Sequence, residues 1–379
     1  MDRVPVIAFV SDAILPYHHG GKELRIHQMT HRIAASAEVH VYTMKWWDGP
    51  RVRCEGGITF HALSRLIPLY SRDRRSLRQA ALFACACSRL LTDRFDVLEA
   101  DHIPYAQLFV LRLITRVRGK RLVATWHEVW GKKYWHEYLG RVGALAWWAE
   151  WLAVRMPDRI IAVSPETAER LRGVTRTKVP ITVAPNGVDL EAIAAVPPDP
   201  VGTDLVVVGR LLGHKRIDLL LEALALLDAQ GSPVTCRVIG DGPERVALQE
   251  RAQALGIAGS VEFRHDVAEE KEVYALLKSA RVFAFPSARE GFGLAVLEAL
   301  ACALPVVTTS APDNMARHLV ARSRRGTVCE PTAATFAAAL KDALARFPAA
   351  SDGGKEPEAW LTEYSAEAMA ARVREALLS

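Results

Sequence analysis

Two segments in the second half of the chain carry residues suited to holding a phosphorylated, hydroxyl-rich ligand. In Val206-Val207-Val208-Gly209-Arg210-Leu211-Leu212-Gly213-His214-Lys215-Arg216, an apolar run ends on a glycine. Two cations, Arg210 and Lys215, follow before a helical pattern opens. Cations beside unpaired backbone N–H groups, at a strand's carboxyl end and a helix N-terminus, suit a diphosphate. Taken alone, the loop fits a solvated Arg and Lys equally well. In Phe285-Pro286-Ser287-Ala288-Arg289-Glu290-Gly291-Phe292-Gly293-Leu294-Ala295-Val296-Leu297-Glu298-Ala299, a strand pattern ends at a glycine-bearing turn and a helix begins. The glycines let backbone approach a ligand and leave helix N-terminal N–H groups open. A carboxylate accepts two hydroxyl hydrogen bonds at once, so Glu290 and Glu298 suit the vicinal diols of a sugar and of a ribose. The plainer alternative is a Glu favouring the helix dipole and an exposed helix Glu. For Glu298, set among Ala295-Val296-Leu297 and Ala299-Leu300, exposure fits poorly.

Two weaker signals lie in the first half. Tyr17-His18-His19-Gly20-Gly21-Lys22-Glu23 follows the first apolar run, and Gly20 and Gly21 before a helix suit phosphate, although such pairs are common in turns. In Val123-Ala124-Thr125-Trp126-His127-Glu128-Val129-Trp130, His127 stands just beyond a strand, where doubly wound sheets place their ligands. No Asp-x-Asp triplet is present to anchor a metal-bound nucleotide, and no Cys-x-x-Cys or His/Cys spacing suits zinc.

These segments need elements to position them. β-branched runs at Val4–Val10, Val39–Tyr42, Ile58–Ala62, Val97–Glu99, Leu122–Thr125, Ile160–Val163 and Ile181–Ala184 alternate with helical patterns such as Leu24–Ala35 and Ser76–Leu91. The alternation restarts at Leu205–Val208 and continues through Cys236–Ile239, Val261–Phe263, Val282–Phe285, Pro305–Thr308 and Thr327–Cys329. That predicts an α/β protein of two tandem, Rossmann-like, doubly wound domains facing a cleft. The expected division is residues 1–190, a proline-rich linker over 191–204, residues 205–355, and a C-terminal helix within 356–379 near Trp360–Leu378. That helix follows the breaker Asp352-Gly353-Gly354, and nothing in its own residues says where it docks.

Composition is that of a soluble globular chain, with 50% hydrophobic and 24% charged residues. The opening apolar run is too short for a signal peptide, and Val142–Val154 is too short to span a bilayer, so a cytoplasmic location is expected. Residues 1–185 hold 28 Lys+Arg against 17 Asp+Glu, a balance of +11. The remaining 20 and 26 give −6, and the sum is the overall +5. Arg65, Arg72, Arg74, Arg75 and Arg78 cluster just before the apolar stretch Ala80–Ala86. They predict peripheral contact with an anionic membrane, as at the inner membrane face, against the alternative of a loop and a core helix. No nucleic-acid partner is expected.

Together the motifs resemble the GT4-type family of retaining glycosyltransferases, which have the GT-B fold. The resemblance is strongest across residues 158–310. It rests on Ile160-Ile161-Ala162-Val163-Ser164, Val183-Ala184-Pro185-Asn186-Gly187-Val188-Asp189, the Gly-Arg…Lys loop, Val238-Ile239-Gly240-Asp241-Gly242-Pro243-Glu244 and the Glu-x7-Glu segment. It implies a hexosyltransferase moving sugar from a nucleoside diphosphate sugar to a carbohydrate, lipid-linked or small-molecule hydroxyl acceptor. Arg210 and Lys215 would hold the diphosphate, Glu290 the donor-sugar hydroxyls, and Glu298 the ribose. Backbone N–H groups of Gly291, Phe292, Gly293 and Leu294 would support sugar and phosphate. Gly20 and Gly21 would line the phosphate side, and His127 would contact the sugar near the reacting carbon. With two cations at the leaving group, neither a metal nor another cofactor is called for. One departure stands out: where many relatives carry a Gly-Gly-containing loop ending in Pro-Glu, this chain reads Ser310-Ala311-Pro312-Asp313-Asn314-Met315. The competing readings are a nucleotide-sugar epimerase or other enzyme on the same fold, an inverting transferase, and a non-catalytic nucleotide-sugar binder.

Overall fold

The structure, a computed structural model, describes residues 3–71, 74–267, 269–347 and 356–379. Arg72 of the basic cluster and the Asp352-Gly353-Gly354 breaker lie outside the described residues. The chain divides into two compact units, Met1–Gly187 with Ala366–Ser379, and Val188–Ser365.

The first unit is built on eight strands: β1 (Val6–Val10), β2 (Glu38–Lys45), β3 (Val52–Glu55), β4 (Ile58–Arg65), β5 (Val97–Asp101), β6 (Arg121–Trp126), β7 (Arg159–Ala162) and β8 (Ile181–Val183). Their order across the sheet is β8-β7-β6-β5-β1-β2-β4-β3. All neighbours run parallel except β3, which folds back antiparallel on β4. In β1, Ala8 and Val10 point to one face, where they meet Leu98, Leu108, Leu111 and Phe83. Ile7 and Phe9 point to the other, against Ile26, Met29, Met369 and Val373. Burial on both faces explains why these strands read as unbroken apolar runs.

The second unit holds β9 (Thr203–Val208), β10 (Cys236–Ile239), β11 (Val261–Arg264), β12 (Ala280–Phe285), β13 (Val306–Thr309) and β14 (Gly326–Cys329). They form one all-parallel sheet in the order β11-β10-β9-β12-β13-β14. In each unit the order reverses beside the first strand, which opens a crevice at its carboxyl end.

Three local features differ from the sequence expectation. The stretch read as linker begins as a helix, Leu190–Ala195. Asp189 caps it by accepting from Ala192 N at 2.8 Å, and the prolines at 197, 198 and 200 prevent it from continuing. The single last helix is two pieces, a 3₁₀ segment Ala359–Tyr364 and an α-helix Ala366–Leu378. They part at Ser365, whose extended backbone pairs with Val188 and so leaves the helical path. The α-helix buries Met369, Ala370 and Val373 against the helix Gly21–Ile33 of the first unit. Finally, the basic cluster is not a uniformly solvated patch. Arg75 reaches the fully buried Asp12 at 2.8 Å, and the helix Leu77–Ala86 turns Phe83 into the core while leaving Leu82 outside. Burying Phe83 stabilises the fold by about 1.5–3 kcal/mol, so this helix serves the sheet first.

Candidate active site

In the second unit, backbone packing shapes the ligand edge. Gly209 follows β9 and donates to Ile239 O at 3.0 Å; Gly240 follows β10 and donates to Arg264 O at 2.8 Å. Leu211 N donates to Asp241 O at 2.9 Å, so the loops after β9 and β10 lie against each other. A methyl group at Gly240 would lie 2.1 Å from the Gly209 carbonyl oxygen, and one at Gly242 would lie 2.3 Å from Leu211 O. Gly240 also has a φ of +136°, which disfavours any side chain. The Gly240-Asp241-Gly242 motif therefore holds the Arg210 loop by allowing backbone contact.

Arg210 is exposed on that loop, and Lys215 closes the single 3₁₀ turn Gly213–Lys215. The His214 carbonyl accepts from Ala288 N at 2.8 Å, tying this turn to the glycine-bearing segment after β12. Lys215 Nζ forms an ion pair with Glu290, which brings the expected diphosphate cation and sugar carboxylate together. Burial pushes the His214 imidazole down to about 3, and the neighbouring Arg289, Lys215 and Arg210 charges push the same way. His214 thus stays neutral, chiefly because it is buried, with the nearby cations adding to the same effect.

Glu290 lies in a two-residue strand, Arg289–Glu290, that runs parallel to Asp313–Asn314. Met315 N donates to Glu290 O at 2.9 Å. Asn314 is buried and donates from Nδ2 to Thr308 Oγ1 at 2.9 Å and to Thr309 O at 3.0 Å. The segment that departs from the family pattern therefore braces the backbone of Glu290. Gly293 follows at φ +94°, and a methyl group there would come within 2.4 Å of Ala316 Cβ. It opens the helix Leu294–Ala301 with no side-chain cap, so the first N–H groups have no intrahelical acceptor. Phe292 is buried, with its ring centroid 6.1 Å from that of Tyr364. Glu298 sits in the second turn and is buried, as its apolar neighbours suggested. Burial, with a smaller contribution from Glu270, pushes its carboxyl up to about 8.

The first unit arranges its edge differently, around a buried polar network. Lys22 Nζ lies 2.7 Å from Asp12 Oδ1, 3.4 Å from Asp101 Oδ2 and 3.8 Å from Glu23 Oε1. Burial works against its charge, but the three carboxylates win and raise its pKa. Asp12 is likewise opposed by burial, yet Lys22 and Arg75 hold it below its ordinary value. Asp101 Oδ1 is 3.1 Å from His127 Nε2, which fixes the His127 ring. Two residues before Asp101, burial and the Asp101 charge push Glu99 upward. Gly20 caps the helix Gly21–Ile33 from an extended conformation, and a methyl group there would meet Glu23 Oε2 at 2.5 Å. A Glu23 carboxylate oxygen thus lies beside Gly20, one of the two glycines read as lining a phosphate site.

Sequence reasoning did not single out Asp12, Asp101, Glu99 or Arg25, although Arg25 Nη1 donates to Asn186 Oδ1 across 161 positions at 2.9 Å. The rule that selected His127 would have selected two of them, because Asp101 ends β5 and Asp12 stands two residues past β1. Among the described residues, no group of three His, Cys, Asp or Glu side chains is arranged to hold a metal ion.

Comparison with known proteins decides the family. Residues 19–192 match the profile of Glycosyltransferase Family 4, and residues 195–356 match that of Glycosyl transferases group 1. The chain belongs to the family 4 glycosyltransferases. The chain is 40% identical over 107 residues to a GDP-mannose-dependent alpha-(1-6)-phosphatidylinositol dimannoside mannosyltransferase of Mycobacterium tuberculosis, over 28% of this chain and 26% of the relative. It is 26% identical over 343 residues to the corresponding monomannoside mannosyltransferase of Mycolicibacterium smegmatis, over 84% and 83%. The curated relatives that match most strongly are matched over only 26% to 38% of their own length. A sucrose-phosphate synthase from Thermosynechococcus elongatus superposes with a TM-score of 0.80 at 18% identity, over 98% of each chain. That likeness speaks for the fold, which is the GT-B architecture.

Proposed function

We propose that this glycosyltransferase moves a hexosyl-type sugar, with retention, from a nucleoside diphosphate sugar to a hydroxyl of a carbohydrate, lipid-linked or small-molecule acceptor. One observation carries the reading. The Arg210–Lys215 loop and the Glu290–Leu294 turn are tied together by the His214 carbonyl, beside a helix N-terminus, with Lys215 paired to Glu290. Breaking the bond from anomeric carbon to phosphate builds negative charge on the diphosphate. Fixed cations and helix N–H groups stabilise that charge without reorganising.

In this reading Arg210 and Lys215 receive the diphosphate, and Lys215 exchanges part of its ion pair with Glu290 for phosphate oxygens. The released Glu290 carboxylate accepts from sugar hydroxyls, and Gly291 to Leu294 supply backbone N–H groups. Glu298 accepts from the ribose. His127, its ring fixed by Asp101, meets the sugar, and Gly20 and Gly21 line the phosphate side once Glu23 moves. The acceptor attacks from the leaving-group face and its proton passes to a phosphate oxygen, so Glu290 acts as a binding group. Because two protein cations meet the leaving group, activity is expected to survive dialysis against a chelator. Complete loss restored by manganese would overturn that part. We place the chain in the cytoplasm with peripheral contact to an anionic membrane; among the described residues no helix is long and apolar enough to cross one.

The test is a thermal-shift screen over nucleoside diphosphate sugars, followed by turnover with the best donor and determination of the product anomer. A ligand that binds only the folded state raises its Tm. No shift with any donor, sugar rearrangement in donor alone, or an inverted product would each sink the reading.

A further inference from the structure

The same face of the first unit's sheet that buries Phe83 also carries the helices Tyr105–Val117 and Gly143–Ala153, which pack against each other. Each buries one side and presents an apolar stripe on the other. In the first helix Leu108, Leu111 and Ile114 enter the core, while Phe109, Leu113 (65% exposed) and Val117 (69%) face outward at four-residue spacing. In the second, Gly143, Glu150 and Ala153 are buried, while Leu145 (70%), Trp148 (51%) and Leu152 face outward at spacings of three and four. Spacings of three and four place side chains on one helical face. Two helices that pack on each other thus each expose an apolar stripe, and large exposed apolar surfaces are seldom left uncovered on isolated soluble chains.

The exposed charge on the two helices themselves is basic. The helix Tyr105–Val117 contains no acidic residue, and it exposes Arg116. The one acid in Gly143–Ala153, Glu150, is buried and accepts from Trp130 N, Gly131 N and Trp135 Nε1 at 2.8–3.0 Å. Exposed Arg141 and Lys132 flank the second helix, with Lys132 Nζ 5.9 Å from the Trp147 ring centroid. Arg155 stacks over Trp151 at 3.5 Å. Nearby acids are engaged: Asp158 with Arg112 at 2.6 Å, and Glu137 with Lys133 at 4.0 Å. Apolar stripes, a tryptophan cluster and the exposed cations Arg116, Lys132 and Arg141 together match the interface of an anionic bilayer, where indoles settle at headgroup depth and basic residues meet lipid charge.

We infer that the outward face of the helices Tyr105–Val117 and Gly143–Ala153 is the surface by which this protein lies on an anionic membrane. It is a different surface from the Arg65–Arg78 cluster expected from sequence, in which Arg75 is committed to Asp12 while Arg65 and Arg78 are exposed. The inference rests on the peripheral-contact part of the proposed function and not on the transfer chemistry.

Co-sedimentation of the full chain with vesicles tests it, using pure phosphatidylcholine and mixtures with phosphatidylglycerol at low and high salt. Wild type should bind the phosphatidylglycerol vesicles and release as salt screens the charges. The variant Leu113→Ser/Leu145→Ser/Trp148→Ser should bind far less, with each removed apolar contact costing about tenfold. Arg116→Ser/Lys132→Ser/Arg141→Ser should lose about fivefold per charge at low salt. All six positions are exposed, and an unchanged melting temperature shows that each variant folds. If wild type ignores anionic vesicles, peripheral contact itself is wrong. If wild type binds and both variants bind equally well, contact stands and this face is the wrong one. If the apolar variant only turns a concentration-dependent dimer into a monomer, the face is a contact between copies of this chain and the inference is overturned.

Discussion

In each unit the strand carboxyl ends form a candidate ligand edge, yet the two units furnish that edge by opposite means. In the first unit, charged side chains from distant positions neutralise one another: Lys22 among Asp12, Asp101 and Glu23, Arg75 on Asp12, His127 on Asp101. In the second unit, glycines press loop against loop and the shape comes from backbone, with Arg210, Lys215 and Glu290 mounted on it. A buried charge network is costly to break because every lost partner strands another charge. A backbone frame tolerates changes to the side chains it carries but not to the glycines that close it. Substitutions in the first unit should therefore register as stability, and those in the second as turnover or binding, except at the frame itself.

The largest effect is expected at Asp12. Replacing it by Ala leaves Lys22 and Arg75 without their shared partner, and should lower stability by about 3–5 kcal/mol in urea unfolding. Near-native stability with only a loss of activity would erase the contrast between the units. Next comes the frame: Gly240→Ala forces a methyl group onto Gly209 O at a positive φ and should cost about 3 kcal/mol. A fully stable variant would show that the loops move apart freely.

Arg210→Ala and Lys215→Ala should leave the melting temperature nearly unchanged while cutting turnover by about 10²-fold, as lost oxyanion-type donors do. Steady-state rates within a few-fold of wild type would remove them from the leaving-group site.

The smallest effect, and the sharpest, concerns pH. The Glu298 carboxyl stands at about 8 in the folded protein against an ordinary 4.5, so its proton-bound form favours folding. That contribution is complete below about 4.5 and is lost as pH rises through about 8. Ribose hydroxyls donate to the ionised form, so nucleoside diphosphate binding near neutral pH should release a proton. Affinity should then rise by up to roughly tenfold per pH unit toward 8. Calorimetry in buffers of different ionisation enthalpy measures the proton, and Glu298→Gln should abolish both effects. Proton-neutral binding by wild type would place the ribose elsewhere.

Much of the fold was legible because strands buried on both faces read as apolar runs, and the glycine punctuation after β9 and β12 marked the loops that carry Arg210, Lys215 and Glu290. The strand Val52–Glu55 was not legible. It is short and mostly exposed, an edge strand folded back antiparallel on β4. The charge network of the first unit was hidden for another reason: its pairs join positions 10, 63 and 79 residues apart, and no local period connects Lys22 with Asp12, Arg75 with Asp12 or Lys22 with Asp101. The docking of the last helix was illegible because an amphipathic pattern specifies an apolar face without naming what covers it.

That helix sets an order of events on the ribosome. Residues 366–378 complete the face of the first unit on which Ile26 and Met29 lie, and Arg121 Nη2 donates to Leu377 O at 2.9 Å. Between them and Gly187 the ribosome must deliver the whole second unit, which closes on itself from Val188 to Ser365. The part of the protein made first is thus finished last. Throughout the intervening synthesis, one side of its sheet waits with an uncovered apolar helix, the condition in which nascent chains rely on chaperones.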